Sequence, residues 1–306
     1  MALDVAQQER DHRREMWERL HAAGGPKGVA PSVLRELGIY GGQQGIWVDK
    51  ARTASLTEDR IGVTVGLLHT GSSYADDLAE DGVVYHYPST QRPGRDAAEI
   101  AATKAARALH LPVFVITYPS PEASTRDVQL GWVQDWEDAS RLFLVAFGQE
   151  QPPPRPVTGA PEEAAFVLTE TRRETRREVA ARVGQARFKF DVLRRYGAEC
   201  AVWGLAILEA LDAAHLCPRT EAGSNDARNG LVFCAVHHRA FDAGLFSVEP
   251  GTLSVRYKLG GPDAVSLRIS RPGLGHLVHQ PHQEALEWCW RRWNQRHAPR
   301  DEGLPG

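Results

Sequence analysis

Long apolar runs are missing from this 306-residue chain. The longest ones, such as LFLVAF and PVFVIT, are far shorter than the roughly 20 apolar residues that a membrane-spanning helix needs. The N-terminus is charged throughout and lacks the apolar core of a secretory signal. We therefore expect a cytoplasmic protein with no membrane partner.

Cysteine is also scarce, with four residues and no CxxC pair. This usage provides no disulfide framework and fits a reducing compartment. Cys200, Cys217 and Cys234 could join a histidine in a structural zinc site, but without CxxC spacing we interpret them as small buried apolar residues. No structural zinc is expected.

A strong charge of one sign is the third absence. The net charge of −3 does not indicate that the chain as a whole binds nucleic acid. One local patch differs, because residues 171–195 contain eight Arg and one Lys against three acidic residues. Arg172 and Arg176 have helical i,i+4 spacing, which favours a ridge that could face DNA phosphates. A solvated helix with Arg–Glu pairs explains the same pattern.

Polar side chains are concentrated in residues 211–244, LDAAHLCPRTEAGSNDARNGLVFCAVHHRAFDAG. His215 ends a strand-like run, Asn229 lies in a Gly- and Asn-rich turn, and His238 lies on a predicted helix. Asp242 is one helical turn beyond His238, so both can face one ion. Hydrolysis of a phosphodiester requires such parts: a base, a divalent cation and a rigid frame.

Residues 187–250 resemble the HNH nuclease family, whose fold is a ββα-metal motif. The resemblance implies that His215 is the general base, Asn229 braces the loop and His238 is a metal ligand. It also implies one Mg²⁺ or Mn²⁺ ion per nuclease site.

The second metal ligand is left open by the sequence. Many family members have an Asp directly before the base, where this chain has Ala214. Asp212, two residues earlier on the same predicted strand face, and Asp242 are both candidates. His237 is interpreted as a phosphate contact or a structural residue.

A second constellation lies in residues 62–96, where Tyr74 and Tyr87 bracket the carboxylates of Asp76 and Asp77. A pocket for an extruded base needs planar rings to sandwich the base and an acceptor for its exocyclic amino group. Ordinary strand aromatics beside an acidic turn would give the same pattern.

The sequence pattern SSYADD…DGVVYHYP…GRD resembles the SRA domain, a module that flips 5-methylcytosine out of DNA. The resemblance covers about residues 35–120 and implies that Tyr74 and Tyr87 stack on the base and that Asp77 reads its edge. It departs from the family at Ser72-Ser73, where Gly-Gly is usual, and at Pro88. Basic residues in this half are candidates to contact the DNA backbone: Lys50, Arg52 and Arg95.

Together these features predict an α+β chain in which an SRA-like (PUA-type) twisted β-barrel with flanking helices precedes a ββα-metal HNH domain. The predicted boundaries are an N-terminal helix at 1–30, the SRA-like domain at 31–150, a linker and basic helix at 151–184, the HNH domain at 185–260 and a C-terminal helical extension at 261–306.

An SRA-like reader joined to an HNH nuclease resembles the modification-dependent (type IV) restriction endonucleases. That combination implies cleavage of double-stranded DNA carrying 5-methylcytosine or 5-hydroxymethylcytosine, and a homodimer to cut both strands. Two alternatives stay open: a modified-DNA-binding protein with an inactive nuclease domain, and an HNH nuclease that reads another mark, such as phosphorothioate.

Overall fold

The computed structural model describes residues 2–42, 45–69, 78–90, 92–152, 165–169 and 184–297. The chain divides into two compact units, one formed by Met1–Val157 with Val183–Arg187 and the other by Thr158–Arg182 with Phe188–Gly306. Five candidate site residues from the sequence lie outside the described residues: Tyr74, Asp76, Asp77, Arg172 and Arg176. Most of the predicted linker and basic helix at 151–184 also lies outside them.

The first unit contains a mixed seven-stranded sheet that curls into a half-barrel. Its strands are β1 (Ile46–Val48), β2 (Thr64–His69), β3 (Leu78–Ala79), β4 (Gly82–His86), β5 (Val113–Thr117), β6 (Asp127–Glu137) and β7 (Leu142–Phe147). They are arranged in the order β1-β2-β5-β6-β7-β4-β3, with β2 and β5 parallel and the other neighbours antiparallel. The predicted α+β class is confirmed, and the described strands form an open sheet with β1 and β3 at its edges.

Helices cover both faces of this sheet because the central strands are apolar on both sides. The helices of the unit are α1 (Ala2–Ala22), α2 (Pro31–Glu36), α3 (Lys50–Thr53) and α4 (Pro93–Ala108). Along β5, Val113 and Val115 join a core that includes Ala106 of α4. The alternate residues Phe114 and Ile116 join a second core, which includes residues of α1.

Helix α1 is fixed to the sheet by a fully buried charge. The Arg13 side chain is 0% exposed, and its Nη1 donates to the carbonyls of Thr64 at 2.8 Å and Pro112 at 2.6 Å. Its Nε donates to Glu9 at 2.6 Å. A buried guanidinium needs such partners, since an unpaired buried charge is very costly.

The second unit is built around a β-hairpin followed by a helix. Its elements are α5 (Gln185–Tyr196, whose first residues belong to the first unit), β8 (Leu211–His215), β9 (Gly230–Cys234), α6 (Ala235–Asp242), β10 (Phe246–Val248), β11 (Val255–Tyr257), α7 (Ala264–Leu267) and α8 (Gln283–His297). Strands β8 and β9 are antiparallel, with His215 opposite Gly230 and Asp212 opposite Phe233. The order β8, β9, α6 is a ββα arrangement.

One apolar segment before the hairpin is not a strand. Residues 199–205, ECAVWGL, form a turn in which the amide of Gly204 donates to the carbonyl of Cys200 at 2.9 Å. Gly204 has φ +81°, a conformation that glycine adopts without steric cost. The buried apolar residues of this segment, Cys200, Ala201 and Val202, therefore lie in a turn and not in a strand.

Within the described ranges, no helix combines the length and the apolar character needed to cross a bilayer.

Candidate nuclease site

The hairpin β8–β9 and helix α6 position the three residues that the sequence motif singled out. His215 is the last residue of β8, Asn229 directly precedes β9, and His238 lies in the middle of α6. All three belong to the second unit.

The His215 ring is held on two sides. Its face stacks on the ring of Phe188 from α5, with ring centroids 3.6 Å apart and an interplanar angle of 10°. Its Nε2 lies 2.9 Å from Oδ1 of Asn225. An amide oxygen only accepts, so in the neutral ring the proton is on Nε2 and the proton-accepting lone pair is on Nδ1.

Gly230 leaves room for this stacking. A Cβ at position 230 would lie 2.6 Å from Cζ of Phe188 and 2.7 Å from Cγ2 of Val192. Both distances are far below van der Waals contact, so a side chain there would displace Phe188. The glycine opposite His215 therefore helps to place the ring that packs on it.

Asn229 fixes the loop between the two strands. Its side chain is 0% exposed; Nδ2 donates to the carbonyls of Cys217 and Ser224, each at 2.9 Å, and Oδ1 accepts from the Cys217 amide at 2.9 Å. These three bonds connect the end of β8 to the turn that carries Asn225. Burial also raises the pKa of the Cys217 thiol to about 11, so this thiol is protonated at neutral pH.

His238 lies between two carboxylates, one near each ring nitrogen. Its Nδ1 is 3.3 Å from Oδ2 of Asp212, and its Nε2 is 3.6 Å from Oδ2 of Asp242. The two carboxylates therefore lie at different ring nitrogens, and an ion bound by one nitrogen would have only one of them beside it. Both candidates from the sequence are thus near His238, in different positions.

A cleft of about 150 Å³ distinguishes the two carboxylates. Its lining includes His215 and Asp242 but neither Asp212 nor His238, and helix α8 contributes Trp288, Cys289, Arg292, Trp293 and Arg296 to it. The cleft thus places Asp242 on the same side as His215. Burial raises the pKa of the Cys289 thiol in its wall to about 11.

A second cluster contains two cysteines and the other histidine. Cys200 Sγ and Cys234 Sγ lie 3.5 Å and 3.0 Å from Nδ1 of His237, and all three residues are buried. Nε2 of His237 donates to the carbonyl of Leu267 at 2.9 Å, which directs the Nδ1 lone pair at the sulfurs. Two thiols and an imidazole are ligands that suit zinc, and a carbonyl partner on the second nitrogen is usual for a metal-bound histidine.

These three residues could hold a metal ion, because their ligand atoms all lie within 4.8 Å of one another. Within the described part of the chain, no other group of three or more His, Cys, Asp or Glu residues meets this condition. The expectation that the cysteines are only small apolar residues is therefore revised. Cys200 and Cys234 are far apart in sequence, so the search for a CxxC pair missed them. In the structure, the turn at 199–205 and the end of β9 bring them together.

Comparison with known families agrees with the ββα geometry. Residues 200–249 match the HNH endonuclease family. The matched segment includes the turn at 199–205 from Cys200 onward, the hairpin, α6 and β10. No curated protein matches the sequence. Among solved structures, a modification dependent TagI restriction endonuclease is similar, at 19% sequence identity and a TM-score of 0.35 over 88% of this chain and 93% of that chain.

The family match identifies an HNH endonuclease domain at residues 200–249, and HNH nucleases are metal-dependent. The HNH resemblance found in the sequence is confirmed for these residues. Helix α8 lies outside the matched HNH segment, although it contributes to the cleft beside His215.

The described residues of the first unit that were predicted to meet DNA are placed as follows. The ring of Tyr87 is buried in the core, with its centroid 4.4 Å from that of Phe143, and its hydroxyl donates to Asp138 at 2.8 Å. Burial, followed by this hydrogen bond, raises the tyrosine pKa. A base could stack on this ring only if the core opened.

The basic residues of this unit differ in exposure. Arg52 is partly buried and pairs with Asp49 at 3.2 Å and Glu9 at 3.6 Å, so it stabilises the contact between α1 and α3. Lys50 and Arg95 line one surface cleft, where Arg95 pairs with Glu99 at 2.8 Å.

Three residues of the nuclease site were missed by the sequence reasoning. Phe188 and Asn225 hold His215, and Arg292 lines its cleft. Asn225 had a signal, because it lies in the same Asn-rich turn as Asn229. Phe188 and Arg292 had none, since only the packing of α5 and α8 brings them to the hairpin.

Proposed function

We propose that this chain is a modification-dependent DNA endonuclease that hydrolyses phosphodiester bonds at the His215 site. The observation that carries the proposal is the oriented His215 imidazole at the end of β8, inside the segment that matches HNH endonucleases. An imidazole fixed by a ring on its face and an acceptor on one nitrogen is pre-oriented for proton transfer.

His215 acts as the general base in this proposal. Because Nε2 donates to Asn225, Nδ1 takes a proton from the attacking water. Stacking on Phe188 keeps the ring plane in place during this transfer. Asn229 holds the loop and so keeps Asn225 within reach of His215.

His238, through Nε2, and Asp242 would hold the divalent cation, Mg²⁺ or Mn²⁺. When bound there, such an ion neutralises charge on the phosphate and on the leaving oxygen. Nε2 of His238 and Oδ2 of Asp242 already lie 3.6 Å apart, which fits two ligands of one ion. Asp212 would then accept from Nδ1 of His238 and orient the ring, the usual role of a carboxylate behind a metal-bound histidine.

The specificity for modified cytosine is proposed from the residues of the first unit. Tyr74 and Asp77 would contact the extruded base, while Tyr87 supports the pocket from the core, where it packs on Phe143. Basic side chains would contact the DNA backbone: Lys50, Arg95, Arg172 and Arg176. One site cuts one strand, so two copies of the chain would act on a duplex.

A second candidate is a modified-DNA-binding protein with an inactive nuclease. It is favoured by Ala214, which is 1% exposed and provides no ligand where many HNH nucleases have an Asp. The position of Asp242 beside His238 argues for the active enzyme, because it supplies a carboxylate from α6 instead.

The test compares cytosine-methylated and unmethylated plasmids, each incubated with Mg²⁺, Mn²⁺ or chelator. We expect metal-dependent cleavage of the methylated plasmid and a loss of about 10²- to 10⁴-fold in rate for His215→Ala. Asp77→Asn should weaken the preference for methylated DNA. Equal cleavage by wild type and His215→Ala would remove the catalytic assignment, and equal cleavage of both plasmids would remove the modified-base assignment.

A further inference from the structure

The C-terminal helix α8 forms one wall of the cleft beside His215. The opposite wall comes from the hairpin and from the end of α6 with Asp242. The cleft is thus built from residues that are more than 70 positions apart in sequence, such as Glu221 and Arg292. A wall contributed by α8 indicates a role beyond covering the core.

Helix α8 is anchored to the end of α6. Nε1 of Trp293 donates to the carbonyl of Gly244 at 2.9 Å, and Nε2 of His297 lies 3.0 Å from the same oxygen. Nη1 of Arg296 donates to the backbone carbonyl of Asp242 at 3.1 Å. The last carbonyls of a helix carry partial negative charge, which favours cationic partners. These contacts fix the orientation of α8 relative to His215.

Arg292 lies one helical turn before Arg296 on α8. Its Nη2 donates to Oε1 of Glu221 at 2.9 Å, and the two side chains are 50% and 42% exposed. An ion pair at such exposure is weak, because water competes for both groups. A phosphate presents the same oxygen geometry to a guanidinium as a carboxylate does, and it can replace one.

We propose that α8 is part of the nuclease site and that Arg292 binds a phosphate of the DNA strand held at His215, with Glu221 as the anion that it releases. This inference rests on the proposed nuclease function and adds to it a DNA-backbone contact outside the matched HNH segment. In the free protein, Glu221 pairs with Arg292, and its negative charge repels DNA from the cleft until a phosphate takes its place on Arg292.

The charge arrangement supports a phosphate as the ligand. Arg292 and Arg296 both line the cleft, and Arg296 is anchored to a backbone carbonyl rather than to a carboxylate. The cleft also contains Asp242, which a metal ion would neutralise in the proposed site. The α8 wall of the cleft therefore presents two positive charges, those of Arg292 and Arg296, to the backbone.

The experiment measures the affinity of the full-length protein for a fluorescent methylated duplex, in chelator so that the DNA stays intact, over a series of salt concentrations. The variants are Arg292→Ala, Arg292→Lys and Glu221→Gln. Arg291→Ala is the matched control, because Arg291 is an exposed arginine on the same helix that does not line the cleft. Circular dichroism and thermal unfolding check that each variant is folded.

We expect Arg292→Ala to weaken binding severalfold and to reduce the slope of log K against log salt by about 1, as for one lost phosphate contact. Arg292→Lys should recover part of the affinity. Glu221→Gln should increase affinity, because it removes the competing anion. A purely structural ion pair predicts the same direction for Arg292→Ala and Glu221→Gln, since both break it.

Opposite effects of Arg292→Ala and Glu221→Gln support the inference, and effects in the same direction, or none, overturn it. If Arg292→Ala fails to fold, the sign of the Glu221→Gln effect decides. A wild-type protein that binds DNA but cuts no plasmid under any metal condition contradicts the nuclease proposal alone. A protein that cuts normally with unchanged affinity in all variants contradicts the Arg292 contact alone.

Discussion

The imidazole of His215 and the side-chain amide of Asn225 are joined by a hydrogen bond of 2.9 Å. Since Oδ1 is the acceptor, this bond selects the His215 tautomer with its lone pair on Nδ1. Asn225→Ala should therefore lower the cleavage rate by at least about tenfold, because a wrongly protonated imidazole is a poor base. Single-turnover cleavage of a plasmid measures this rate, and an unchanged rate would show that Phe188 alone orients the ring.

Asn225→Asp keeps the acceptor but adds a negative charge. A carboxylate at 2.9 Å favours the protonated imidazole and raises the pKa of His215. A general base is active only when it is deprotonated, so the rising limb of the pH–rate profile should move to higher pH in this variant. A profile that coincides with the wild-type curve would contradict the role of His215 as the titrating base.

Asp242 and Asp212 should differ in their effects on metal binding. Asp242→Asn removes a proposed ligand and should weaken Mn²⁺ binding to the DNA-free protein strongly. Asp212→Asn removes only the acceptor behind His238, a type of change that usually costs about 10- to 100-fold in metal affinity or activity. Calorimetric titration with Mn²⁺ measures both, and a greater loss for Asp212→Asn would place the ion at Nδ1 of His238 instead.

Gly230→Ala should disturb the position of the His215 ring indirectly, through Phe188. The new Cβ would displace Phe188 from its place on His215, and overpacking of this kind costs about 1–3 kcal/mol of stability. We expect a lower midpoint of unfolding and a lower cleavage rate. Gly275→Ala is the control, because a Cβ at that position meets no atom within 4 Å. Equal stability of the two variants would mean that the core adapts at Phe188.

The cluster of Cys200, Cys234 and His237 should hold about one zinc per chain. Two ligands on one tetrahedral zinc ion are about 3.5 Å apart, near the observed Sγ–Nδ1 distances of 3.5 Å and 3.0 Å. Elemental analysis of protein purified without chelator checks the content. Cys234→Ser should abolish the zinc, whereas Cys217→Ser, a buried cysteine outside the cluster, should retain it. Metal-free wild type with an unchanged midpoint of unfolding would show that hydrogen bonds alone hold the cluster.

Tyr87→Phe should test the link between the sheet and Asp138. Hydrogen bonds from Lys104 and then Tyr87 hold the Asp138 pKa below its usual value. A lowered folded-state pKa stabilises the protein above the unfolded-state pKa, and this contribution disappears as the pH falls through the folded-state value. Tyr87→Phe should therefore lower the midpoint of unfolding at neutral pH, by a difference that shrinks in acid. A constant difference across that range would exclude the carboxylate as its source.

Apolar patterns along the sequence predict those helices and strands whose conformation depends mainly on neighbouring residues. Strand β8 and helix α6 follow from local patterns, and His215 and His238 lie on them as expected. Strand β6, the longest strand described, has a weak apolar pattern, because Gly131 and acidic and amide residues stand between its apolar positions. The turn at 199–205 is apolar although it is not a strand, because Cys200, Ala201 and Val202 are buried.

The site itself was predicted only where its residues are close in sequence. His215, Asn229 and His238 lie within one hairpin and the helix that follows it, so their spacing carries the signal. Phe188, Arg292 and the pairing of Cys200 with Cys234 depend on how distant elements pack. No local periodicity encodes such contacts.

Arg13 has a practical consequence for dividing the protein into parts. Its guanidinium satisfies the carbonyls of Thr64 and Pro112 from a helix that the sequence alone set apart as residues 1–30. A fragment that starts at residue 31 would remove the Arg13 donor from those two oxygens and would expose the apolar face beneath α1. Any transplant of this unit onto another enzyme should therefore begin at the first residue of the helix.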